Sequence, residues 1–433
     1  MTQGSGLSDA YIVTLTRLKA QKGNKSILGM KVLMWVLYSE RPLMAEELCH
    51  ALGVELGSTD LDHENIPALR TLLTSTLGLV TVEASSSTVR LVHFTLQEHF
   101  VSDSTLFHSP HSVIAEVCLT YLNFQSVRDL SPTLRAAPAT MPLLNYAYCY
   151  WGEHTRKELT QSVKILALRL LDKFDEHISA QLLSLLYNRG RRYVGLEFHV
   201  EKGPIGFTGL HGAAFLGIVE VFAAVLEMKE WDMNSRDSVS CTPLMWAAIK
   251  GHEGVVKILL ERGDVNPELA DPVWGQTALM WAAAHGHVGV VKVFLEREGV
   301  NSDQASSVYG PTALYIAAAD GRDGIVKMLL EREDVNPNQM LTRYPYPPLS
   351  IAAINKHEGV VKIFLEREDV NPNISDTYGC TPLSHAARQG CEGIVKIILD
   401  RNDIRVDIRD QCSQQASPDY SPDYRSAVRP VRP

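Results

Sequence analysis

Residues 241–262 read CTPLMWAAIKGHEGVVKILLER, and the same stretch returns four times: QTALMWAAAHGHVGVVKVFLER over 276–297, PTALYIAAADGRDGIVKMLLER over 311–332, YPPLSIAAINKHEGVVKIFLER over 346–367 and CTPLSHAARQGCEGIVKIILDR over 380–401. A more divergent copy precedes them. Marker leucines fall at Leu210, Leu244, Leu279, Leu314, Leu349 and Leu383, in steps of 34, 35, 35, 35 and 34 residues. The internal chemistry is that of two short helices. Thr242, Thr277, Thr312 and Thr381 stand where a hydroxyl caps a helix start, and Pro243 and Pro382 suit the first turn. Alanine pairs such as Ala247/Ala248 and Ala282/Ala283 let helices approach closely. Val255, Val256, Ile258, Leu259 and Leu260 give the second helix an apolar face. One copy cannot bury that face alone, so the copies must stack.

This pattern resembles the ankyrin repeat over residues 205–407, as six repeats. The resemblance implies a stacked array that binds another protein through its turn tips and first-helix surface. Three departures stand out. Only His211 keeps the histidine that the family favours after the marker leucine; the other repeats have Met245, Met280, Tyr315, Ser350 and Ser384. The fifth repeat has Pro347 in place of the capping threonine, so strain is expected there. After the sixth apolar helix, Ile394 to Leu399, no polar capping repeat follows.

Two columns of the array are candidate protein-binding surfaces. The tip column reads Val239, Trp274, Tyr309, Tyr344 and Tyr378; aromatic anchors at one register are the usual carriers of binding energy, although rings at this spacing also pack on neighbouring hairpins. The column near the end of the first helix reads Lys250, His285, Asp320, Asn355 and Gln389, polar and varied. Trp246, Trp281, Ile316 and Ile351 are expected in the core.

The N-terminal half reads differently. Helical stripes are expected over 8–20, Ile27–Leu37, Arg41–Leu52 and Ile66–Leu77, with Glu46 and Glu47 suited to the positive end of the third. The period then becomes two in Leu79–Glu83 and Val89–Phe94, a hairpin around Ala84–Ser87. Thr95-Leu-Gln-Glu98 has capping-box form and predicts a helix start. Helices followed by a hairpin describe a winged helix. Further helices are expected over 112–187, with stripes at Ile114, Val117, Cys118, Tyr121, Leu122 and at Leu143, Leu144, Tyr146, Ala147, Tyr150, Trp151, and a leucine-rich run from Leu166 to Leu186 that should bury both faces.

The runs RPLMAEELCHALGVE, LVHFTLQEHF, IAEVCLTYLNF and PLLNYAYCYWGEH resemble the winged helix and helical linker of fungal NACHT-type signalling ATPases with ankyrin tails, over residues 5–190. The resemblance implies that His93, in the HFT motif, faces an ADP phosphate. The chain lacks what that chemistry requires: it has no Gly-Lys dipeptide, hence no P-loop. His93 would then contact nucleotide only if another chain supplied the NACHT domain. Relative to those ATPases the opening helix begins mid-motif.

Other function classes are disfavoured by residue content. The net charge is −9, with the acidic excess in the repeat half, which opposes nucleic-acid and anionic-membrane partners. The candidate recognition helix offers DNA only Arg70 and is preceded by Asp60, Asp62 and Glu64. The seven cysteines stand singly, as reduced thiols would in a cytosolic chain. MTQGSGLSDA has no secretory pattern, and no apolar run is long enough for a membrane span. No G-x-S-x-G or H-E-x-x-H occurs. The tail repeats Ser-Pro-Asp-Tyr at 417 and 421 and is expected to be disordered.

The expected architecture is mostly α: a winged-helix-like domain over 1–105, a helical linker domain over 106–204, an ankyrin-repeat solenoid over 205–407 and a tail over 408–433. The expected function is a cytoplasmic protein-binding scaffold or signalling module. It is not an enzyme and has no cofactor, no metal, no small-molecule substrate, no nucleic acid and no membrane partner. The alternative is a regulatory fragment of a NACHT-type switch.

Overall fold

The computed structural model describes residues 4–102, 105–132, 134, 136–183, 206–308, 310–340 and 346–406, with side chains from residue 11 onward except at residue 102. The chain forms two compact units, the first built on Met1–Tyr187 and the second on Ile205–Pro433.

The first unit begins with α1 (Gly4–Lys19), α2 (Asn24–Tyr38), α3 (Ala45–Gly53) and α4 (Leu69–Ser75). Helix α2 is buried through Val32, Leu33, Met34, Trp35 and Leu37, as its apolar run requires. Glu47 does more at the start of α3 than favour the helix dipole. Its Oε2 accepts from the Met44 backbone N–H at 2.8 Å, and its carboxylate takes both arms of the Arg41 guanidinium, at 2.6 and 2.7 Å. Burial of Glu47 is tolerated because it is paired and hydrogen-bonded. Helix α4 is shorter than its sequence suggests. Pro67 disfavours helical backbone at Ile66, and Leu77 (φ 53) and Gly78 (φ 81) turn left-handed at the other end.

Strands β1 (Val80–Val82) and β2 (Val89–Leu91) form the antiparallel hairpin, paired Val80 to Leu91 and Val82 to Val89. Helix α5 (Phe94–Ser102) starts one residue before the expected capping threonine. His93 occupies the preceding position, and its Nδ1 accepts from the Thr95 backbone N–H at 3.3 Å. Thr95 instead turns its hydroxyl to the Tyr11 hydroxyl, 2.8 Å away.

Helices α6 (Pro110–Leu122), α7 (Gln125–Arg128), α8 (Leu143–Lys157) and α9 (Gln161–Leu171) complete the described part of this unit, followed by a 3₁₀ turn at Phe174–Glu176 and helical residues 178–183. The stripes Ile114 to Leu122 and Leu143 to Trp151 face inward, with Tyr150 half-buried. The leucine-rich run departs from its reading. It breaks after α9, and α9 buries one face only, through Val163, Ala167, Leu170 and Leu171, while Leu166 and Leu168 are half-buried.

The second unit is the stack of six helix pairs: Gly209–Leu216 with Val219–Met228, Pro243–Lys250 with Glu253–Glu261, Ala278–His285 with Val288–Glu296, Ala313–Ala319 with Asp323–Leu330, Pro348–Ile354 with Glu358–Leu365, and Pro382–Arg388 with Glu392–Leu399. Each expected threonine caps its first helix, accepting from Met245, Met280, Tyr315 and Ser384 N–H respectively at 3.2–3.4 Å. Trp246, Trp281 and Ile316 are core residues; Ile351 is only half-buried, as is Ile258. The alanine pairs are sealed by the following repeat, except that Ala387 of the last repeat is exposed.

The strain expected in the fifth repeat does not sit at its missing cap. Pro347 has an ordinary extended backbone (φ −62, ψ 160) and supplies no side-chain cap. The strained residue is Lys356, at the other end of the same helix, with φ 65. At the corresponding turn the neighbouring repeats place Gly251, Gly286, Gly321 and Gly390, all left-handed.

Side chains lace each repeat to its neighbour. His252 Nε2 meets the Phe215 carbonyl, His287 that of Ile249, and His357 that of Ala319, at 2.9–3.0 Å. Arg332 donates to the Leu295 carbonyl and Arg401 to that of Leu365, and Arg297 reaches the Leu260 carbonyl. Asn234, Asn338 and Asn373 each bridge two backbones: Asn338 Nδ2 donates to the Asp369 carbonyl at 2.7 Å while its Oδ1 accepts from Asn371 N–H at 2.8 Å.

Candidate functional site

The turn tips are built on buried aspartates. Asp237 Oδ1 accepts from the backbone of Val239 and Cys241, and its Oδ2 accepts from the Trp246 indole at 2.7 Å. Asp271 takes the N–H groups of Val273, Trp274 and Gln276 at 2.7–3.1 Å. Asp376 takes those of Tyr378 and Cys380, and its Oδ2 lies 2.7 Å from His385 Nε2. An aspartate that collects two or three backbone donors fixes the turn, so the tip residue it carries is held in place before any partner arrives.

Of the tip column, Val239 and Trp274 are half-buried and Tyr378 is 40% exposed. Tyr309 and Tyr344 lie outside the described residues. The Tyr378 ring is 6.5 Å from that of Tyr346, which packs edge-on against His385. The tip aromatic thus rests on its neighbour's hairpin while keeping a solvent face.

The polar column serves the array as well as the solvent. Lys250 and Gln389 are exposed; His285, Asp320 and Asn355 are half-buried. The Lys250 ammonium lies 4.3 Å from the Phe215 ring centroid. His285 Nδ1 is 2.9 Å from the Trp281 carbonyl, and its ring stacks on His287. Asn355 Nδ2 donates to the Ala319 carbonyl at 2.8 Å. The Gln389 carbonyl accepts from Lys356 Nζ.

His93 is exposed beside the wing and stacks on Phe94, itself 69% exposed, with centroids 4.9 Å apart. Its Nδ1 is 2.7 Å from the Thr95 hydroxyl, so the imidazole organises the start of α5.

Sequence reading missed a cluster in the first unit, because its members are about 40 to 115 residues apart and form no spacing motif. Helix α8 puts Tyr146, Tyr150 and His154 on one stripe. Tyr146 and His154 are buried, and the Tyr146 hydroxyl is 2.8 Å from His154 Nε2 and accepts from the Glu40 N–H at 3.0 Å. His154 Nδ1 is 2.9 Å from His111 Nδ1 and 3.9 Å from Glu40 Oε1. Lys157 Nζ lies 2.6 Å from the same oxygen. Burial, aided by His111 and Lys157, pushes the His154 pKa down to about 3, and burial likewise lowers that of His111. Both imidazoles are neutral at neutral pH.

The reading of scattered reduced thiols fails at one position: Cys380 is disulfide-bonded, while Cys49, Cys118, Cys149, Cys241 and Cys391 are free. Spacing along a chain is blind to which cysteines a fold brings together. Among the described residues no helix is long and apolar enough to cross a membrane.

Comparison with known proteins agrees with this architecture. Ankyrin-repeat family descriptions match residues 220–295, 264–340 and 337–410, and the winged-helix domain description of GPI inositol-deacylase matches residues 15–111. A human protein, ankyrin repeat and SAM domain-containing protein 3, is 36% identical over 81 residues, 19% of this chain and 11% of the relative. The chain thus spans about a tenth of the length of that curated relative. Similar solved structures include the ankyrin repeat domain of Bcl-3 (22% identity, 47% of this chain and 89% of that one, TM-score 0.42) and that of human ASB11 (23%, 52% and 98%, TM-score 0.42). The chain carries ankyrin repeats and an N-terminal winged helix. That winged helix matches under the name of GPI inositol-deacylase, not of a NACHT ATPase.

Proposed function

We propose that this chain is a non-enzymatic, cytoplasmic protein-binding scaffold or signalling module whose repeat array engages a partner through the tip column and the polar column beside it. Ankyrin repeats make a protein-interaction module the natural reading. The observation that carries the finer one is the set of buried aspartates under the tips: Asp271 and Asp376 hold Trp274 and Tyr378 on rigid turns, so little ordering entropy remains to be lost on binding. By register Tyr309 and Tyr344 belong to the same edge, with Lys250, His285, Asp320, Asn355 and Gln389 setting specificity alongside. The test is affinity capture with the full chain, wild type against Trp274→Ala combined with Tyr309→Ala and Tyr378→Ala. A partner held by the wild type and lost by at least about tenfold from the variant supports the edge; equal capture by both rejects it.

A second reading, a regulatory fragment that pairs with a NACHT domain from another chain, is favoured by one observation, the solvent-facing His93–Phe94 stack beside the wing. It requires that ADP bind only when such a domain is added, and that His93→Ala weaken that binding. ADP binding indifferent to His93→Ala removes this reading.

A further inference from the structure

The end of α2, the start of α6 and the last turn of α8 bring together side chains that neither the repeat surface nor the wing explains. Glu40, His111 and His154 each offer one donor atom within 4.8 Å of the other two. We propose that these three residues form a binding site for a divalent transition-metal ion of the zinc class, a two-histidine, one-carboxylate set that ties α2, α6 and α8 together.

The distances suit such an ion. Zinc–nitrogen and zinc–oxygen bonds of about 2.0–2.2 Å in a tetrahedron put neighbouring ligand atoms about 3.3 Å apart. The two imidazole nitrogens stand at 2.9 Å and the carboxylate oxygen at 3.9 Å from His154 Nδ1, so binding requires the histidines to part and Glu40 to close by a few tenths of an ångström each. Rotation of the Glu40 and His111 side chains supplies that movement, since only His154 is fully buried.

The surrounding hydrogen bonds fit too. A metal-bound histidine characteristically gives its other ring nitrogen to a fixed partner, which sets its tautomer and orientation. His154 does so: its Nε2 faces the Tyr146 hydroxyl at 2.8 Å, and that oxygen is itself fixed by the Glu40 N–H. With the Nε2 proton directed at Tyr146, the His154 Nδ1 lone pair points to the cluster. In that tautomer His111 Nδ1–H is the group that meets this lone pair, 2.9 Å away. Moving the proton to the outer Nε2 of His111 frees a second lone pair without changing net charge. The carboxylate of Glu158 is taken by the Ser112 N–H at 2.9 Å and stands outside the set. Lys157 is the competitor: its ammonium holds Glu40 Oε1 from a partly exposed position and must swing away when a cation arrives.

The experiment uses the full chain and cobalt(II), whose visible absorption reports ligand number and geometry, followed by displacement with zinc(II). The wild type should bind one equivalent with a tetrahedral cobalt spectrum. Loss of one ligand in His111→Gln or Glu40→Gln should weaken binding by at least about 10–100-fold, the range already seen for partners of ligands. Tyr146→Phe should weaken it less, and Lys157→Met should tighten it by removing the competing charge. Wild-type binding no tighter than that of His111→Gln overturns the assignment, whatever metal the other histidines hold. Should His111→Gln fail to fold by circular dichroism, Lys157→Met decides: tighter cobalt binding upholds the site, and unchanged or weaker binding overturns it.

Discussion

Lys356 and Cys391 are a matched pair across the last repeat junction. At the earlier junctions a left-handed glycine faces a bulky side chain from the next repeat: a Cβ on Gly251 would lie 2.5 Å from His287 Nδ1, and one on Gly321 equally close to His357 Nδ1. Lys356 carries a Cβ at that register, and the residue opposite is Cys391, which has no ring. The bond between repeats also reverses. Where His252, His287 and His357 reach back to a carbonyl of the preceding repeat, Lys356 Nζ reaches forward to the Gln389 carbonyl at 3.3 Å. Lys356→Gly should therefore stabilise the array by about 1 kcal/mol through relief of the left-handed backbone. Cys391→His should destabilise the wild-type chain and be neutral or favourable when combined with Lys356→Gly. Urea midpoints of the wild type, the two single variants and the double variant give the coupling; additive effects would mean that the two positions are independent.

Gly251→Ala should be costly. The left-handed backbone (φ 76) accounts for about 1–2 kcal/mol, and displacement of His287 from the Ile249 carbonyl adds about 1 kcal/mol. The double variant with His287→Ala should recover part of the loss. Gly390→Ala, where nothing lies within 4 Å of an added Cβ, should cost only the backbone share. Equal losses at 251 and 390 would remove the steric argument.

Acid should weaken both units. Burial holds the pKa values of His177 and His211 down to about 4, from an ordinary 6.5. Between those limits the unfolded chain binds more protons than the folded one, so stability rises with pH. It is fully present above about pH 6.5 and lost as pH falls towards 4, by at most about 3 kcal/mol per histidine. Urea midpoints should fall between pH 7 and 5, and His211→Gln should flatten the slope of the repeat unit. A midpoint independent of pH in that window contradicts the assignment of neutral buried imidazoles.

Asn338→Ala removes a donor and an acceptor that join two adjacent hairpins. Both bonds are exposed, so the expected loss is about 1–2 kcal/mol. Asn338→Asp keeps the acceptor and loses the donor, and should fall between wild type and alanine. A larger loss for aspartate would show that charge, not bonding, governs the position.

The repeat unit was readable from sequence because its information is local and periodic: a threonine cap, a proline at the first turn, an apolar stripe and a glycine stop recur within one copy, and stacking follows from the unsatisfied faces. Readings failed where neighbours in space decide. Pro67, Leu77 and Gly78 trimmed α4 at both ends, and His93 took the place expected of Thr95 at the start of α5. The leucine-rich run breaks after α9, and within that helix Leu166 and Leu168 are only half-buried. The cluster of Glu40, His111 and His154 gives no sequence signal, since each residue stands alone in its own segment. The aspartates under the tips do carry a signal: Asp237, Asp271 and Asp376 stand 7, 8 and 7 residues before the marker leucines of their repeats.

Ala387 is open to solvent where Ala248, Ala283, Ala318 and Ala353 are sealed. In a one-dimensional stack each unit is secured by those flanking it, so the sixth repeat, whose Ala387 is exposed among the described residues, is the weakest tooth of the zipper. Unravelling should begin there and travel towards residue 209. Amide protons of Glu392–Leu399 should exchange with deuterium first and those of Glu253–Glu261 among the last, giving the array a built-in direction of opening.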